Sequence, residues 1–406
     1  MQGTKSSLSA NIEKISIKGQ VRQRILRNLL PLFLMLPRKI NFTQMAKWGE
    51  QNENTYHNWF KAELDLVSFN TELIQQHGSG KHYVIFDPSF INKSGKKTPL
   101  IDYRWSGCAG AVKRGLEISA FAVADMKQHT AYHLDSSLTP NVASLKAEGK
   151  TLIDFYVSKT LFHKKHIEIF GKMVVADGYF GIYSYVNPVL KSGIDVTSCL
   201  KSNAALFYLP PSVVGPRKRG RPAVKGEKID WQNLNTEQLP IIKQDEEKIV
   251  RSAKVYSKSL KMVILLVAVD YLKADGTLKT RKLYFTTRVD EHFQFVLDVY
   301  QIRFQIEFLF RDAKQFTGLM HCQSTNLDKL SNHLNLSLTA VSVAKATHWD
   351  KNPETPFSMA EIKEYYHNQK LIELFSNALG LDYNSIKNNP KIISIVKSRH
   401  YECIAA

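Results

Sequence analysis

Between residues 82 and 200, short apolar runs with strand character alternate with helical segments, and this alternation limits the fold more than any other feature of the chain. His82–Phe86 is a β-rich run that stops on Asp87-Pro88-Ser89. Leu116–Ala124 is a second apolar run, Met173–Ala176 leads directly into Asp177-Gly178, and Val196–Leu200 is a fourth. Ala143–Phe162 and Phe180–Leu190 carry helical patterns between them. Strands and helices interleaved in this way predict an α/β core around a central mixed sheet.

Outside that core the pattern changes. Val21, Ile25, Leu29 and Leu32 recur at helical spacing until Pro37, and two shorter helices, Phe42–Trp48 and Asn54–Leu64, flank Gly49. Thr43 is the expected N-cap of the first, and Asn52 or Asn54 of the second. The pair fits a helix-turn-helix, with Asn54, Thr55, His57 and Asn58 near the start of its second helix, and equally an ordinary helical hairpin. Three strand candidates follow residue 200: Ile249–Tyr256, Met262–Tyr271 and Lys282–Thr287, the last two joined by the turn residues Ala274-Asp275-Gly276-Thr277. A long helical pattern runs from Glu291 to Phe316, and the tail after Ser331 is helical again. The pattern alone thus runs from helices through an α/β region and a set of strands back to helices.

Charge narrows the partners. Lys and Arg number 55 against 37 Asp and Glu, a net charge of +18, in a chain that is 44% hydrophobic. A folded protein this basic points to a polyanion, nucleic acid first. Residues 215–226 carry five basic and no acidic side chains, Arg217, Lys218, Arg219, Arg221 and Lys225. Lys218-Arg219-Gly220-Arg221-Pro222 reads either as an AT-hook-like strand for an A·T-rich minor groove or as a basic loop touching phosphates alone. Both readings put DNA there. A second basic loop, Lys93-Ser94-Gly95-Lys96-Lys97, follows Asp87. The longest apolar runs, Leu29–Leu36 and Met262–Val269, fall far short of the roughly 18 residues a spanning helix needs. Met1–Ala10 is polar, so no secretory leader is expected. Cys108, Cys199, Cys322 and Cys403 are scattered and form no CxxC pair, which argues against a zinc knuckle or disulfide framework and for a reducing cytoplasm. His321, Cys322 and His333 lack a four-ligand spacing and read as structural.

The chemistry concentrates in Tyr300-Gln-Ile-Arg303-Phe-Gln-Ile-Glu307-Phe-Leu-Phe-Arg-Asp-Ala-Lys314. On a continuous helix at about 100° per residue, Tyr300, Arg303, Glu307 and Lys314 fall within about 60° of one another. Such a stripe is often a surface ion-pair ladder. Here Ile302, Phe304, Ile306, Phe308, Leu309 and Phe310 cover much of the remaining circumference, so the helix is expected to be largely buried with its polar stripe facing a cleft. Asp87 and Asp177 each end an apolar strand, a position at the rim of an α/β sheet. Either aspartate alone reads equally as a turn-former, and Asp102 and Asp125 compete with Asp87. Three carboxylates without His or Cys partners make a hard-oxygen site suited to Mg²⁺ or Mn²⁺. Two such ions support in-line phosphoryl transfer, with Arg303 and Lys314 placed for phosphate oxygens and Tyr300 for a phosphate or a displaced base.

In this stretch the chain resembles a known family. Tyr300, Arg303, Glu307 and Lys314 match at every position the Tyr-(2)-Arg-(3)-Glu-(6)-Lys signature of bacterial insertion-sequence transposases with a DDE active site. Asp177-Gly-Tyr-Phe is similar to the family's second aspartate motif, and Asp87, followed by the Lys-Ser-Gly-Lys-Lys run, to its first. Phe304 departs from the Trp found there in many relatives, a change that bears on packing. The resemblance spans roughly residues 80–335. It implies an RNase H-like catalytic core (81–200 with 288–335) interrupted by a β-rich insertion with the basic loop (201–287), flanked by an N-terminal helical DNA-binding domain (1–80) and a C-terminal helical region (336–406). It also implies Asp87, Asp177 and Glu307 as catalytic residues and metal ligands for two Mg²⁺ ions (Mn²⁺ substituting), and Tyr300, Arg303, Lys314, Lys96, Lys97, Arg217, Lys218, Arg219 and Arg221 as DNA contacts. It further implies cleavage at terminal inverted repeats, joining of 3′-hydroxyls to target DNA, and a synaptic homodimer. A transposase-derived DNA-binding protein without catalysis, and a metal-dependent nuclease without strand transfer, are the rival functions. The stripe Leu330, Leu334, Leu338 and Val341 reads as a dimer surface or as core.

Overall fold

The computed structural model describes residues 12–15, 19–210 and 223–397. Helices α1 (Gln20–Met35), α2 (Phe42–Trp48), α3 (Glu53–Trp59) and α4 (Leu66–His77) lead into strands β1 (His82–Asn92), β2 (Asp102–Ser106), β3 (Ala111–Asp125) and β4 (Thr130–Leu138). Helices α5 (Val142–Ala147), α6 (Leu152–Phe162) and α7 (Lys164–Ile169) precede β5 (Met173–Ala176), α8 (Tyr183–Lys191) and β6 (Asp195–Leu200). Strands β7 (Leu206–Phe207), β8 (Ile241–Gln244), β9 (Lys248–Ser257), β10 (Met262–Leu272) and β11 (Leu278–Thr286) follow, then helices α9 (Phe293–Ile302), α10 (Gln305–Gln315), α11 (Leu327–Lys351) and α12 (Met359–Ala378).

Strand order β4-β3-β1-β5-β6, with β1, β5 and β6 parallel and β3 antiparallel to both neighbours, is that of an RNase H-like α/β core. The strands after residue 200 extend this same sheet. β11 pairs with β6 from Leu283↔Leu200 to Thr286↔Thr197, and β10 and β9 continue outward in antiparallel register.

Several local expectations shift for physical reasons. β1 does not stop at Asp87 but runs on to Asn92; beyond Phe86 it has lost its parallel neighbour β5, and a one-sided strand tolerates Pro88. The helical stretch Ala143–Phe162 is two helices, because Gly149 at φ +64° ends the first and a Thr151/Asp154 capping box starts the second. α2 is capped by Asn41 rather than Thr43: Asn41 Oδ1 accepts from the Gln44 N–H at 2.8 Å. Asn52 caps α3, accepting from Thr55 N–H at 2.9 Å. On α3, Asn54 and Asn58 are exposed, whereas His57 packs on the Phe42 ring and lies 2.6 Å from Lys329 Nζ.

Helix α11 is buried at every position from His333 to Thr347 and runs unbroken through 335/336, where the sequence places a region boundary. It packs against β4, α1, α4 and α10. Leu330, Leu334, Leu338 and Val341 lie inside this core and so are not a dimer surface. Among the described residues no helix is long and apolar enough to cross a membrane.

Candidate active site

The expected single helix from Glu291 to Phe316 is two helices. Arg303 and Phe304 keep right-handed helical dihedrals, but the backbone bonds around them are of the i→i+3 kind: Arg303 N–H to Tyr300 O, Phe304 N–H to Gln301 O and Ile306 N–H to Arg303 O. This tightened turn redirects the chain. Val296, Val299 and Tyr300 of α9 pack with Met173, Val175 and Leu265 in one apolar cluster, whereas Ile306, Leu309 and Phe310 of α10 join the larger cluster containing Val84, Phe86 and Val174. Arg303 sits at the crossing. Phe304 and Phe308 are exposed at 46% and 43%, contrary to the expectation that they cover a buried face, and the Arg303 and Arg311 guanidinium groups lie 4.8 Å from their respective ring centres.

The two aspartates come together through sheet register. Phe86 and Ala176 are the last paired residues of parallel strands β1 and β5, so Asp87 and Asp177 are the next residues of adjacent strands, which run about 4.8 Å apart. Gly178 lets the following turn press onto β6, since a Cβ there would lie 2.7 Å from Cys199 Sγ. The carboxylates of Asp87, Asp177 and Glu307 converge on one guanidinium. Arg303 lies 3.6 Å from Asp87 Oδ1, 3.8 Å from Asp177 Oδ1 and 3.4 Å from Glu307 Oε1. Its side chain is 7% exposed; those of Asp177 and Glu307 are about half exposed, and that of Asp87 is 17% exposed.

Burial pushes the Asp87 carboxyl up to about 7; Arg303 opposes this, and Asp177 and Glu307 add to it. Burial disfavours the charge on Arg303, but the surrounding acids, Asp87 foremost, more than offset that cost and raise its pKa. The Tyr300 hydroxyl lies 3.4 Å from both Asp177 Oδ1, toward which it donates, and Cys199 Sγ, and burial raises its pKa. Lys314 Nζ donates to Ser89 Oγ at 3.1 Å.

The structure thus gathers Tyr300, Arg303, Glu307 and Lys314 with Asp87 and Asp177. Lys96 and Lys97 are exposed in the turn after β1, whereas Lys93 donates to the carbonyls of Met320 and Cys322. Arg217, Lys218, Arg219 and Arg221 lie outside the described residues. Asp125 is fully buried and accepts from Ser79, Lys127 and Gln128 N–H groups, and Asp102 Oδ2 accepts from Val142 N–H, so the first holds a turn and the second ties β2 to the start of α5. His321 Nδ1 accepts from Ile40 N–H and His333 Nε2 donates to Gly318 O, both structural bonds. Sequence reasoning missed Ser89, Cys199 and Glu117, whose charge adds to that around Asp87 and whose Oε1 accepts from the Tyr156 hydroxyl at 2.6 Å. Ser89 was findable, being two residues beyond Asp87 on one strand face. Cys199 and Glu117 carry no local signal.

Three carboxylates are the hard-oxygen donors a divalent ion takes, and with Arg303 among them the group keeps two negative charges in excess when ionised. Among the described residues no three His, Cys, Asp or Glu side chains are grouped as a bound ion would need them; the guanidinium stands between these acids instead. The donor set fits such an ion in kind.

An RNase H-like sheet with acids from β1, the end of β5 and a crossing helix defines a class of metal-using nucleic-acid enzymes. The sequence profile of the transposase DDE domain family matches residues 79–343, close to two thirds of the chain, and the protein belongs to that family. It is a DNA transposase in its general kind, a polynucleotidyl-transferase type of enzyme whose relatives generally use divalent metal ions. No curated protein matches the chain. Among solved structures, a piggyBac transposase synaptic complex with hairpin DNA aligns over 97% of this chain and 81% of that one, at 11% identity and a TM-score of 0.44.

Proposed function

We propose that the protein is a cut-and-paste transposase of the Tyr-(2)-Arg-(3)-Glu-(6)-Lys signature group, acting on an insertion sequence in the bacterial cytoplasm. It binds the terminal inverted repeats, cleaves the ends and joins the 3′-hydroxyls to target DNA as a synaptic homodimer. The supporting observation is the convergence of Asp87, Asp177 and Glu307, from three separate elements, within 4 Å of the Arg303 guanidinium. Two Mg²⁺ ions held by these carboxylates, with Mn²⁺ able to replace them, would supply Lewis-acid activation of the attacking oxygen and charge stabilisation of the leaving one.

The chain's own residues do the rest. Lys314 and Arg303 bind phosphate oxygens of the DNA end, Lys314 from a position fixed by Ser89 and Arg303 after turning out from among the acids. Tyr300 orients Asp177 through its hydroxyl. Lys96 and Lys97, together with the basic side chains Arg217, Lys218, Arg219 and Arg221, hold the DNA backbone. The N-terminal region, residues 1–80, takes part in DNA binding.

The test uses labelled duplexes carrying the terminal repeats, with Mg²⁺ or Mn²⁺ added. End-specific nicking followed by joining is expected. Both are lost in Asp87→Ala, Asp177→Ala and Glu307→Gln, while gel-shift binding survives. Cleavage undiminished by Glu307→Gln overturns the assignment, and cleavage without joining identifies a nuclease.

A further inference from the structure

The segment between β1 and the core part of β3 builds a feature that the catalytic cleft does not use. β3 pairs with β1 only as far as Gly115↔Asn92 and with β4 only from Ile118 onward. The remaining residues, Ala111–Arg114, pair solely with β2, from Tyr103↔Arg114 to Ser106↔Ala111, at the outer edge of the sheet. The result is a two-stranded ribbon projecting beyond the core. On one face Arg104 and Ser106 are buried, while their cross-strand partners Lys113 and Ala111 are exposed. The other presents Tyr103 at 69%, Trp105 at 64% and Val112 at 60% exposure. Trp105 and Val112 are cross-strand partners.

An exposed aromatic pair on an edge strand is a liability unless something covers it. The charge around it indicates what. Residues 93–115 contain six basic side chains and one acid. That acid, Asp102, accepts from the Val142 and Tyr103 N–H groups, while Lys96, Lys97 and Lys113 are exposed. Two copies of so basic an edge repel one another, which disfavours pairing with a second copy of this chain, whereas a polyanion neutralises it.

We propose that this ribbon enters the major groove of the DNA duplex whose end lies in the cleft, a reading that rests on the transposase function proposed above. B-DNA's major groove, about 12 Å wide, admits a two-stranded β-ribbon, and apolar side chains there contact the thymine methyl group. Distance along β3 sets the position. Asp87 pairs with Ala120 and Trp105 with Val112. Eight residues at about 3.3 Å each give about 26 Å, or about eight base pairs from the cleaved phosphate. Tyr103, Trp105 and Val112 touch base edges, and Lys96, Lys97 and Lys113 touch the flanking phosphates.

Fluorescence anisotropy with a labelled duplex carrying one terminal inverted repeat tests this on the full chain. The double variant Tyr103→Ser/Trp105→Ser, in exposed positions, is expected to keep the wild-type unfolding temperature and to bind at least about tenfold more weakly. In a second arm, single thymine-to-uracil replacements are scanned along the duplex with wild type and the double variant. Loss of affinity is expected at positions about eight base pairs from the cleaved phosphate for wild type, and not for the double variant. Unchanged binding by the double variant, or a flat uracil scan with wild type, overturns the ribbon proposal while leaving the transposase reading intact. A wild-type dimer dissociated by the double substitution, with DNA binding unchanged, overturns it in favour of self-pairing. Wild type that binds no duplex overturns the parent reading and the ribbon with it.

Discussion

Two charge clusters in this protein use the same chemical groups in opposite proportion. In the sheet extension, Asp270 is gripped by two arginines: Arg251 Nη1 donates to it at 2.7 Å, and Arg281 bonds to both its oxygens through Nε and Nη2, the latter at 2.8 Å. Arg281 is backed by the Trp231 ring at 4.3 Å. In the cleft, one arginine faces three acids, with no contact shorter than 3.4 Å. The first cluster has its acid saturated by directed hydrogen bonds, as a structural fastening should. The second holds its arginine to the acids only through ion-pair contacts of 3.4 to 3.8 Å, keeps an excess of negative charge when the acids are ionised, and leaves Asp177 and Glu307 half exposed. That combination suits a site that must still receive a cation and a phosphate.

Substitutions separate the two clusters, and the largest expected effect is catalytic. Glu307→Gln should reduce end cleavage by at least about a thousandfold, which corresponds to about 4 kcal/mol in the barrier, with the unfolding temperature held near wild type. A comparable loss of folded protein would show that the cleft cluster is structural after all. Asp270→Ala should do the reverse. Two arginines left buried without a partner cost about 3–5 kcal/mol, read as a lower denaturation midpoint, with activity per folded molecule retained.

A divalent ion discriminates between the clusters without mutation. Mn²⁺ at about a hundredfold its dissociation constant should stabilise wild type by about 3 kcal/mol in thermal unfolding, and the shift should vanish in Asp177→Ala but persist in Asp270→Asn. Arg303→Gln removes the positive charge standing among the acids. Calorimetry should then show Mn²⁺ binding about tenfold more tightly, while end cleavage falls because the phosphate contact is lost. Unchanged ion affinity would mean that the guanidinium does not compete with the metal.

A last effect concerns a half-buried lysine that, among the described residues, pairs with no carboxylate. Lys363 Nζ donates to Phe33 O at 2.7 Å where α12 meets α1, and burial pushes its amine down to about 7. Between about pH 7 and its ordinary value near 10.5 the unfolded chain holds more protons than the folded one, so this residue makes stability rise with pH across that window. Lys363→Met should flatten that rise in unfolding temperature measured from pH 7 to 10.

Much of the fold was legible where pattern is local. Met173–Ala176 is apolar at every position because β5 is covered on both faces, and the run was readable as a strand for that reason. Asp87 and Asp177 stood out because each follows such a run. The break at Arg303 was not legible: its residues fit a continuous helical wheel, and only the need to pass from one apolar cluster to the other tightens the turn there. The exposure of Phe304 and Phe308 follows from that geometry and from nothing in their own identity. Cys199 joins Tyr300 and Asp177 only because β6 lies beside β5 in the sheet.

By itself, the sequence determined the alternation of strands and helices, the spacing of Tyr300, Arg303, Glu307 and Lys314, and the surplus of positive charge. Each is written in consecutive residues or in bulk composition. The tertiary structure alone decided that Asp87 and Asp177 are neighbours in register, that the strands after residue 200 prolong the core sheet, that Arg303 stands among three acids, and that Tyr103 and Trp105 project on a ribbon. All four depend on which strand pairs with which, and pairing between strands far apart in the chain is set by global burial and hydrogen bonding rather than by local pattern.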